Sequence, residues 1–441
     1  MPTENANPDD ATQRRLRCAV AVGVLAIMLA FGGLAVVNEF RKPLNNKDYP
    51  TWYNAGRDAM THSDIYGIHD GSEMNFTYPP FAPTCFYGPL TELGNHGFVI
   101  ALVLIQSLAW AGAILLSVRL ATGHAFKQHF LLYLLPSLVT LPAVWTSYQL
   151  GQANLMLLPL MLGGFVLLSG NANRRFLAGV LFAAAAAFKA FPVLVAIYLI
   201  WRRQWLALGG MAAGLVVCLL LLPGLFRGFD TAWHDLHTWT TQVAMTSNEQ
   251  QIGQRNASWA YSRENQSLQA SVVRLTHAMP FDERDGEKLY VNLVDLGFGG
   301  AKLAFILIGL GLAAGQAAFM PRRRDRSPAT DAIEQAMVLT LITIASPLAW
   351  GYYFIWLLFP LTVALHHIGE MEISVKRNLW LAWWFAVGLC PLLAFEAPGV
   401  EQLHAAGSAT WSAVALWAGL GIWLRNTAKS QAPAPRTPDP A

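Results

Sequence analysis

Residues 174–203 read RRFLAGVLFAAAAAFKAFPVLVAIYLIWRR, an apolar stretch with an arginine pair at each end and a lysine, Lys189, three residues before Pro192. Arginines beside a membrane span favour the cytoplasmic side, so one crossing cannot accommodate both pairs. Breaking the stretch near Lys189 and Pro192 resolves the conflict. Proline cannot continue a helix, and two short helices then enter the membrane and return to the side they left.

The flanking sequence calls for the same solvent. Of 441 residues, 54% are hydrophobic and only 13% are charged, which is too little polar surface for a water-soluble chain of this length. The fold class expected is an all-α polytopic membrane protein, because hydrocarbon leaves no partner for unpaired backbone groups. A first apolar run, Cys18 to Val37, follows Arg14, Arg15 and Arg17. It lacks a small-residue cleavage site and reads as a retained first helix with its N-terminus inside. Further candidate spans are 97–120, 130–147, 153–169, 206–225, 298–320, 332–348, 350–367, 379–397 and 407–424. Roughly 20 residues cross the hydrocarbon core, and with the hairpin about twelve transmembrane or half-membrane helices result.

Basic clusters constrain the topology. With the hairpin in place, Arg119 with Lys127, Arg174-Arg175, Arg202-Arg203, Arg322 to Arg324 with Arg326, Lys376-Arg377, and Arg425 with Lys429 all fall on the cytoplasmic side. The organisation expected is a cytoplasmic tail over 1–17, a membrane domain over 18–425, and a Pro-rich disordered cytoplasmic tail over 426–441. Within the membrane domain lie a first outer loop, 38–96, and a large outer loop, 226–297. The net charge of +3 is too small to suggest nucleic acid. Of the four cysteines three lie in apolar runs, and no disulfide framework or metal-ligand spacing is visible. His234 and His237 have a three-residue spacing, yet no carboxylate or cysteine completes a metal site.

This topology gathers the polar and aromatic clusters on one outer face: Asp48 to Tyr66, Phe76 to Pro80, Tyr148 to Asn154, Lys189, the large loop, and Ser346 to Tyr353. A purely structural bundle has no need for that segregation, whereas a site facing out of the cell does.

The order Asp48-Tyr49, Tyr53, Ala55, Asp64-Ile65-Tyr66, Phe76-Thr77-Tyr78-Pro79-Pro80, Gly151-Gln152-Ala153-Asn154, Lys189-Ala190-Phe191-Pro192, Asn265-Gln266-Ser267-Leu268 and Ser346-Pro347-Leu348-Ala349-Trp350 resembles glycosyltransferase family 87. That family has the GT-C fold and includes mycobacterial polyprenol-phosphate-mannose-dependent mannosyltransferases. The resemblance runs from about Asp48 to Pro360. It implies transfer of a hexose, mannose first, from a polyprenyl-phosphate sugar to an acceptor hydroxyl of a glycolipid or glycan outside the membrane. It also implies inversion at the anomeric carbon, with Asp48 as the base and no cofactor. Family members often carry histidine after the Ser-Pro and Trp, where this chain has Tyr352 and Tyr353.

The residues support that chemistry on their own terms. An alcohol is a weak nucleophile, and general-base removal of its proton is worth about 10²- to 10⁴-fold. A lipid-bound phosphate leaves readily if cations or hydrogen-bond donors meet it. Lys189 is the first candidate for that task, because a lysine in an apolar run is expensive and usually has a functional partner. Snorkelling to the interface is its other reading. Arg255 and Arg263 are alternative phosphate ligands or solvated surface residues. Gln152 and Asn154 offer amides to sugar hydroxyls or serve as helix caps. Tyr78 contacts sugar or marks a rigid turn. Asn265, Gln266, Trp350, Tyr352 and Tyr353 complete the candidate lining. Asp48 itself has a second reading, as the N-cap of the following helix. A transporter or flippase of a lipid-linked substrate is the alternative function, but it prefers repeated halves and several mid-membrane charges. Lys189 alone has that position, and no repeat is visible.

Overall fold

The computed structural model describes residues 8–42, 47–67, 76–123, 130–244, 260–284, 287–321, 326–394 and 400–430. The described residues are overwhelmingly helical; the strands among them form one short hairpin, Asp282–Arg284 antiparallel to Glu287–Leu289. Arg255 and the Pro-rich tail lie outside the described residues.

Five helices are long and apolar enough to cross a membrane: Cys18–Arg41, Gly94–Thr122, Trp205–Arg227, Gly297–Phe319 and Gly351–Gly369. A sixth candidate is the pair Phe130–Val139 and Leu141–Leu150, bent by 59° between Pro136 and Pro142. Proline removes a backbone donor and crowds the preceding turn, which accounts for the kink. Every expected apolar stretch corresponds to helix, with ends moved by several residues. Several of these helices are shorter than a full crossing, among them Asn154–Leu168.

The helices that position the site are α1 (Pro8–Arg41), α2 (Tyr49–Met60), α3 (Gly94–Thr122), α4 (Phe130–Val139), α5 (Leu141–Leu150), α6 (Asn154–Leu168), α7 (Ala172–Phe188), α8 (Val195–Trp201) and α9 (Trp205–Val216). The expected break appears where α7 stops at Phe188. Lys189 is extended (φ −148°, ψ 119°), and a short 3₁₀ turn, Phe191–Leu194, leads into α8. In a continued helix the Pro192 ring would clash with the carbonyl four residues back, that of Phe188, and would offer it no donor, which ends α7 at this point.

Small residues fix how α7 packs. A Cβ on Gly179 would strike the carbonyl of Ala207, one on Gly210 the carbonyl of Phe176, and one on Gly214 would lie 2.7 Å from the Ala183 side chain. From the contact of Phe176 with Gly210 to that of Ala183 with Gly214 both helices ascend together, so α7 and α9 run parallel and the short chain between them must run back. That is the hairpin geometry. Close approach of this kind is how helices associate where lipid supplies no hydrophobic drive.

At the end of the bundle away from Lys189, Arg202 is buried and donates to Glu334 and to the carbonyl of Pro321 at 3.0 Å. Arg326 pairs with Asp331 at 2.7 Å nearby. Both acids belong to the helix Pro328–Ala345, which begins with a capping box at Ser327 and Thr330. The arginines that begin and follow the hairpin therefore share one end, and Lys189 marks the other.

Candidate active site

Asp48 stands at the N-terminus of α2, just after Lys47, whose φ of 50° turns the chain sharply into the helix. Pro50 in the first turn pre-sets the helical backbone. The Asp48 side chain makes no capping bond. Its Oδ2 instead accepts from Nε2 of Gln152 at 2.8 Å, 104 residues away in sequence.

The turn that carries Gln152 is shaped around α2. Gly151 ends α5 with φ of 62°, a left-handed conformation natural to glycine at a helix end. A Cβ there would sit 2.9 Å from the Tyr49 ring. Tyr49 donates to the carbonyl of Tyr148 at 2.6 Å, and the Trp52 indole donates to that of Leu150 at 2.9 Å. Buried tyrosine and tryptophan need such partners, and here they pin α2 to the 148–152 turn. The Asp48–Gln152 bond is a product of that pinning.

Gln152 and Asn154 join Asp48 to the lysine. Lys189 Nζ donates to Oδ1 of Asn154 at 2.9 Å and to Oε1 of Gln152 at 3.4 Å, and Tyr78 donates to the same Oε1 at 2.7 Å. The ammonium also lies over three rings: Tyr353 at 4.3 Å, Tyr78 at 4.8 Å and Tyr352 at 5.0 Å. Cation–π contact stabilises a buried ammonium without neutralising it. Lys189 is only 7% exposed, so it is enclosed by protein and does not snorkel.

The aromatic box is held in turn by neighbours. Tyr78 stacks on Trp52 with ring centres 4.8 Å apart, and Tyr66 donates to its carbonyl at 2.9 Å. Tyr352 and Tyr353 sit on a 3₁₀ helix, Gly351–Leu357, that packs through Tyr353 and Trp356 against Phe191. Trp356 donates to the backbone carbonyl of Asn154 at 3.1 Å, tying the two sides of the box.

Burial raises the pKa of Asp48 above the ordinary carboxylate value, and the Gln152 hydrogen bond and the charges of Lys189 and Lys47 pull it back only in part. The result is a carboxylate in reach of a trapped cation and more basic than one in water. Greater basicity of this kind is what a general base requires.

Seven predicted residues thus converge: Asp48, Tyr78, Gln152, Asn154, Lys189, Tyr352 and Tyr353. Others have different surroundings. Arg263 binds Glu264 at 3.1 Å and Asp282 at 2.9 Å. Asn265 donates to the carbonyls of Ala260 and Pro347 and accepts from the backbone of Ser267 and Ala349. Gln266 bonds Arg263, His404 and Ala409 in the same manner. Both amides stitch the large loop to segment 346–350 and to the C-terminal helices. Trp350 is half-buried, and its carbonyl accepts from Tyr353 at 2.8 Å at the start of the 3₁₀ helix. Among the described residues no group of three or more His, Cys, Asp or Glu could hold a metal ion.

Sequence reasoning missed the residues that aim the site. Tyr49, Trp52, Tyr148 and Gly151 act through contacts about 100 positions apart, which no local pattern encodes. Arg227 was the one available signal, a lone charge at the tip of the apolar run before it.

The model of glycosyltransferase family 87 matches residues 76–347, well over half of the chain. The chain belongs to glycosyltransferase family 87. Asp48, Trp350, Tyr352 and Tyr353 lie outside the segment matched by family 87, while Tyr78, Gln152, Asn154 and Lys189 lie inside it. A polyprenol-phosphate-mannose-dependent alpha-(1-2)-phosphatidylinositol pentamannoside mannosyltransferase of Mycolicibacterium smegmatis is 26% identical, over 77% of this chain and 73% of that protein. Its counterpart in Mycobacterium tuberculosis is 26% identical over 82% and 76%. A polyprenol-phosphate-mannose-dependent alpha-(1-2)-phosphatidylinositol mannoside mannosyltransferase of M. smegmatis is 23% identical over 83% and 80%. Among solved structures, ArnT from Cupriavidus metallidurans bound to undecaprenyl phosphate aligns over 94% of this chain and 78% of that one, at 13% identity and a TM-score of 0.38.

Proposed function

We propose that this membrane glycosyltransferase has the GT-C fold and moves mannose from a polyprenyl-phosphate sugar to a hydroxyl of a glycolipid, on the extracytoplasmic face and with inversion. The observation that carries the reading is the Asp48–Gln152–Lys189 bridge inside a box of tyrosines. A base and a cation held one amide apart match the two ends of a glycosyl transfer.

In this mechanism Asp48 takes the proton of the acceptor hydroxyl as its oxygen bonds to the anomeric carbon. The bond from that carbon to the phosphate oxygen breaks on the opposite face of the sugar, which inverts the configuration. Lys189 meets the departing phosphate, and charge-assisted bonds of this kind are about twice as strong as neutral ones. Gln152 serves both groups through opposite ends of one amide, so it fixes their separation. Asn154, Tyr78, Tyr352 and Tyr353 offer the remaining donors, acceptors and ring faces to sugar and phosphate. The amide Nδ2 of Asn154 is buried with no protein acceptor, as suits a donor aimed at a ligand. The donor class and the glycolipid acceptor follow the mycobacterial relatives, and the outward face follows the arginine-rich opposite end.

The test is transfer of radiolabel from polyprenyl-phosphate mannose to extracted glycolipids by the purified protein in nanodiscs. A labelled glycolipid with inverted anomeric configuration is expected. Absence of any glycosidic product with this donor, in enzyme shown to be folded, would overturn the donor assignment.

A further inference from the structure

Arg227 ends the span Trp205–Arg227, and its side chain is 1% exposed. All three guanidinium nitrogens are used. Nε donates to Asp235 Oδ2 at 2.9 Å, Nη1 to the carbonyls of Asp58 at 3.0 Å and Ala59 at 2.7 Å, and Nη2 to that of Ser63 at 2.8 Å. Asp58 and Ala59 belong to the last turn of α2, where carbonyls lack intrahelical partners and the negative end of the helix dipole lies. A planar fork satisfies several such oxygens at once, which an ammonium cannot.

At the other end of α2, about 15 Å away at 1.5 Å per residue, stands Asp48. The span that Arg227 closes begins with α9, and α9 packs backbone to backbone against α7, whose next residue is Lys189. Arg227 therefore belongs to the body that carries the cation and grips the helix that carries the carboxylate. Tyr49 and Trp52 fix the near end of α2, and Arg227 fixes the far end.

We propose that Arg227, with Asp235 as its counter-ion, is a positioning residue for sugar transfer: it holds the C-terminal carbonyls of α2 and so sets where Asp48 stands relative to Gln152 and Lys189. The inference rests on Asp48 as the base. The guanidinium touches no reacting atom and acts through the rigid helix. A misplacement of about 1 Å at a reacting group can cost about 10²-fold in rate, so loosening one end of α2 is enough to matter.

The experiment compares Arg227→Lys, Arg227→Gln, Asp235→Asn and Asp48→Asn in nanodiscs. Each kcat is normalised to molecules that bind a polyprenyl phosphate, so unfolded enzyme does not count. Arg227→Lys keeps the charge but loses the fork, and kcat should fall about tenfold; Arg227→Gln should lose about a hundredfold. The donor KM should stay within about twofold, because the groups around Lys189 are untouched. The acid limb of the kcat–pH profile should move upward as Asp48 loses its Gln152 bond. If normalised kcat and pH profile match the wild type in Arg227→Lys and Asp235→Asn, with only yield or melting temperature reduced, Arg227 is structural alone and the proposal fails. Full activity of Asp48→Asn would instead remove the base on which the proposal stands.

Discussion

Replacing Lys189 by methionine separates the two roles assigned to that residue. The side chains are similar in length, so the box of Tyr78, Tyr352 and Tyr353 stays filled while the charge and two hydrogen bonds, at 2.9 and 3.4 Å, are lost. A hydrogen bond to a charged group is worth about 1.5–3 kcal/mol, and each 1.4 kcal/mol is tenfold, so kcat/KM for the donor should fall by roughly 10- to 150-fold. The second effect is on Asp48. Burial already raises its pKa, and Lys189 is one of the influences that restrain it. An opposite charge nearby favours the ionised carboxylate, so the variant should hold Asp48 still higher. A base works only when deprotonated, and activity is lost as pH falls through its value. The acid limb of kcat/KM, already above the ordinary carboxylate range, should therefore shift to higher pH in Lys189→Met. The assay is radiolabel transfer in nanodiscs across pH, with thermal melting alongside. An unmoved acid limb together with an unchanged donor KM would refute both roles.

Asp48→Asn keeps shape and removes basicity, so kcat should drop about 10²- to 10⁴-fold with donor binding intact, checked by transfer assay and polyprenyl phosphate titration. Gly151→Ala forces a Cβ to within 2.9 Å of the Tyr49 ring at a φ of 62°, and should destabilise the protein by about 1–3 kcal/mol and reduce kcat, read from melting curves and rates together. Glu334→Leu leaves the buried Arg202 without its carboxylate, a loss of about 3–5 kcal/mol, and should lower the melting temperature without moving the pH profile of the folded fraction.

Much of this architecture was legible because lipid imposes simple rules. Arginine pairs at both ends of 174–203 required a return inside the membrane, and the structure breaks the helix at Lys189 as Pro192 demands. Helix ends shifted where capping rather than hydropathy decides them, as at Ser327, which starts a helix four residues before the apolar run. The convergence of Asp48, Gln152, Asn154 and Lys189 was visible as a shared face. Their order within that face was not, because it depends on Tyr49 and Trp52 reaching backbone carbonyls of the 148–152 turn. Asn265 and Gln266 illustrate the reverse difficulty. Their motif stands out in sequence, yet each amide is spent on backbone groups that join the large loop to the segments beside it. A polar motif whose partners are all main chain cannot be told from one that binds a sugar until the partners are seen.

Charge bookkeeping across the proposed reaction explains why one amide should separate the base from the cation. The donor is a phosphodiester with a single negative charge, and the leaving polyprenyl phosphate carries one more. That charge comes from Asp48, which becomes neutral as it takes the acceptor proton. One unit of negative charge therefore passes from one side of Lys189 to the other while the ammonium stays fixed. A site with this property keeps its net charge constant through the transition state, and in a low-dielectric interior that constancy avoids the reorganisation a net change would demand. Gln152 fits the task because its donor end serves the carboxylate while its acceptor end serves Lys189 and Tyr78. When Asp48 becomes protonated the amide donor loses an anion, and the fixed ammonium then faces the new phosphate charge alone. A Gln152→Glu variant would break this exchange by adding a second anion between the two groups, with a larger loss of kcat than Gln152→Leu. Equal losses in the two variants would show that Gln152 only fills space.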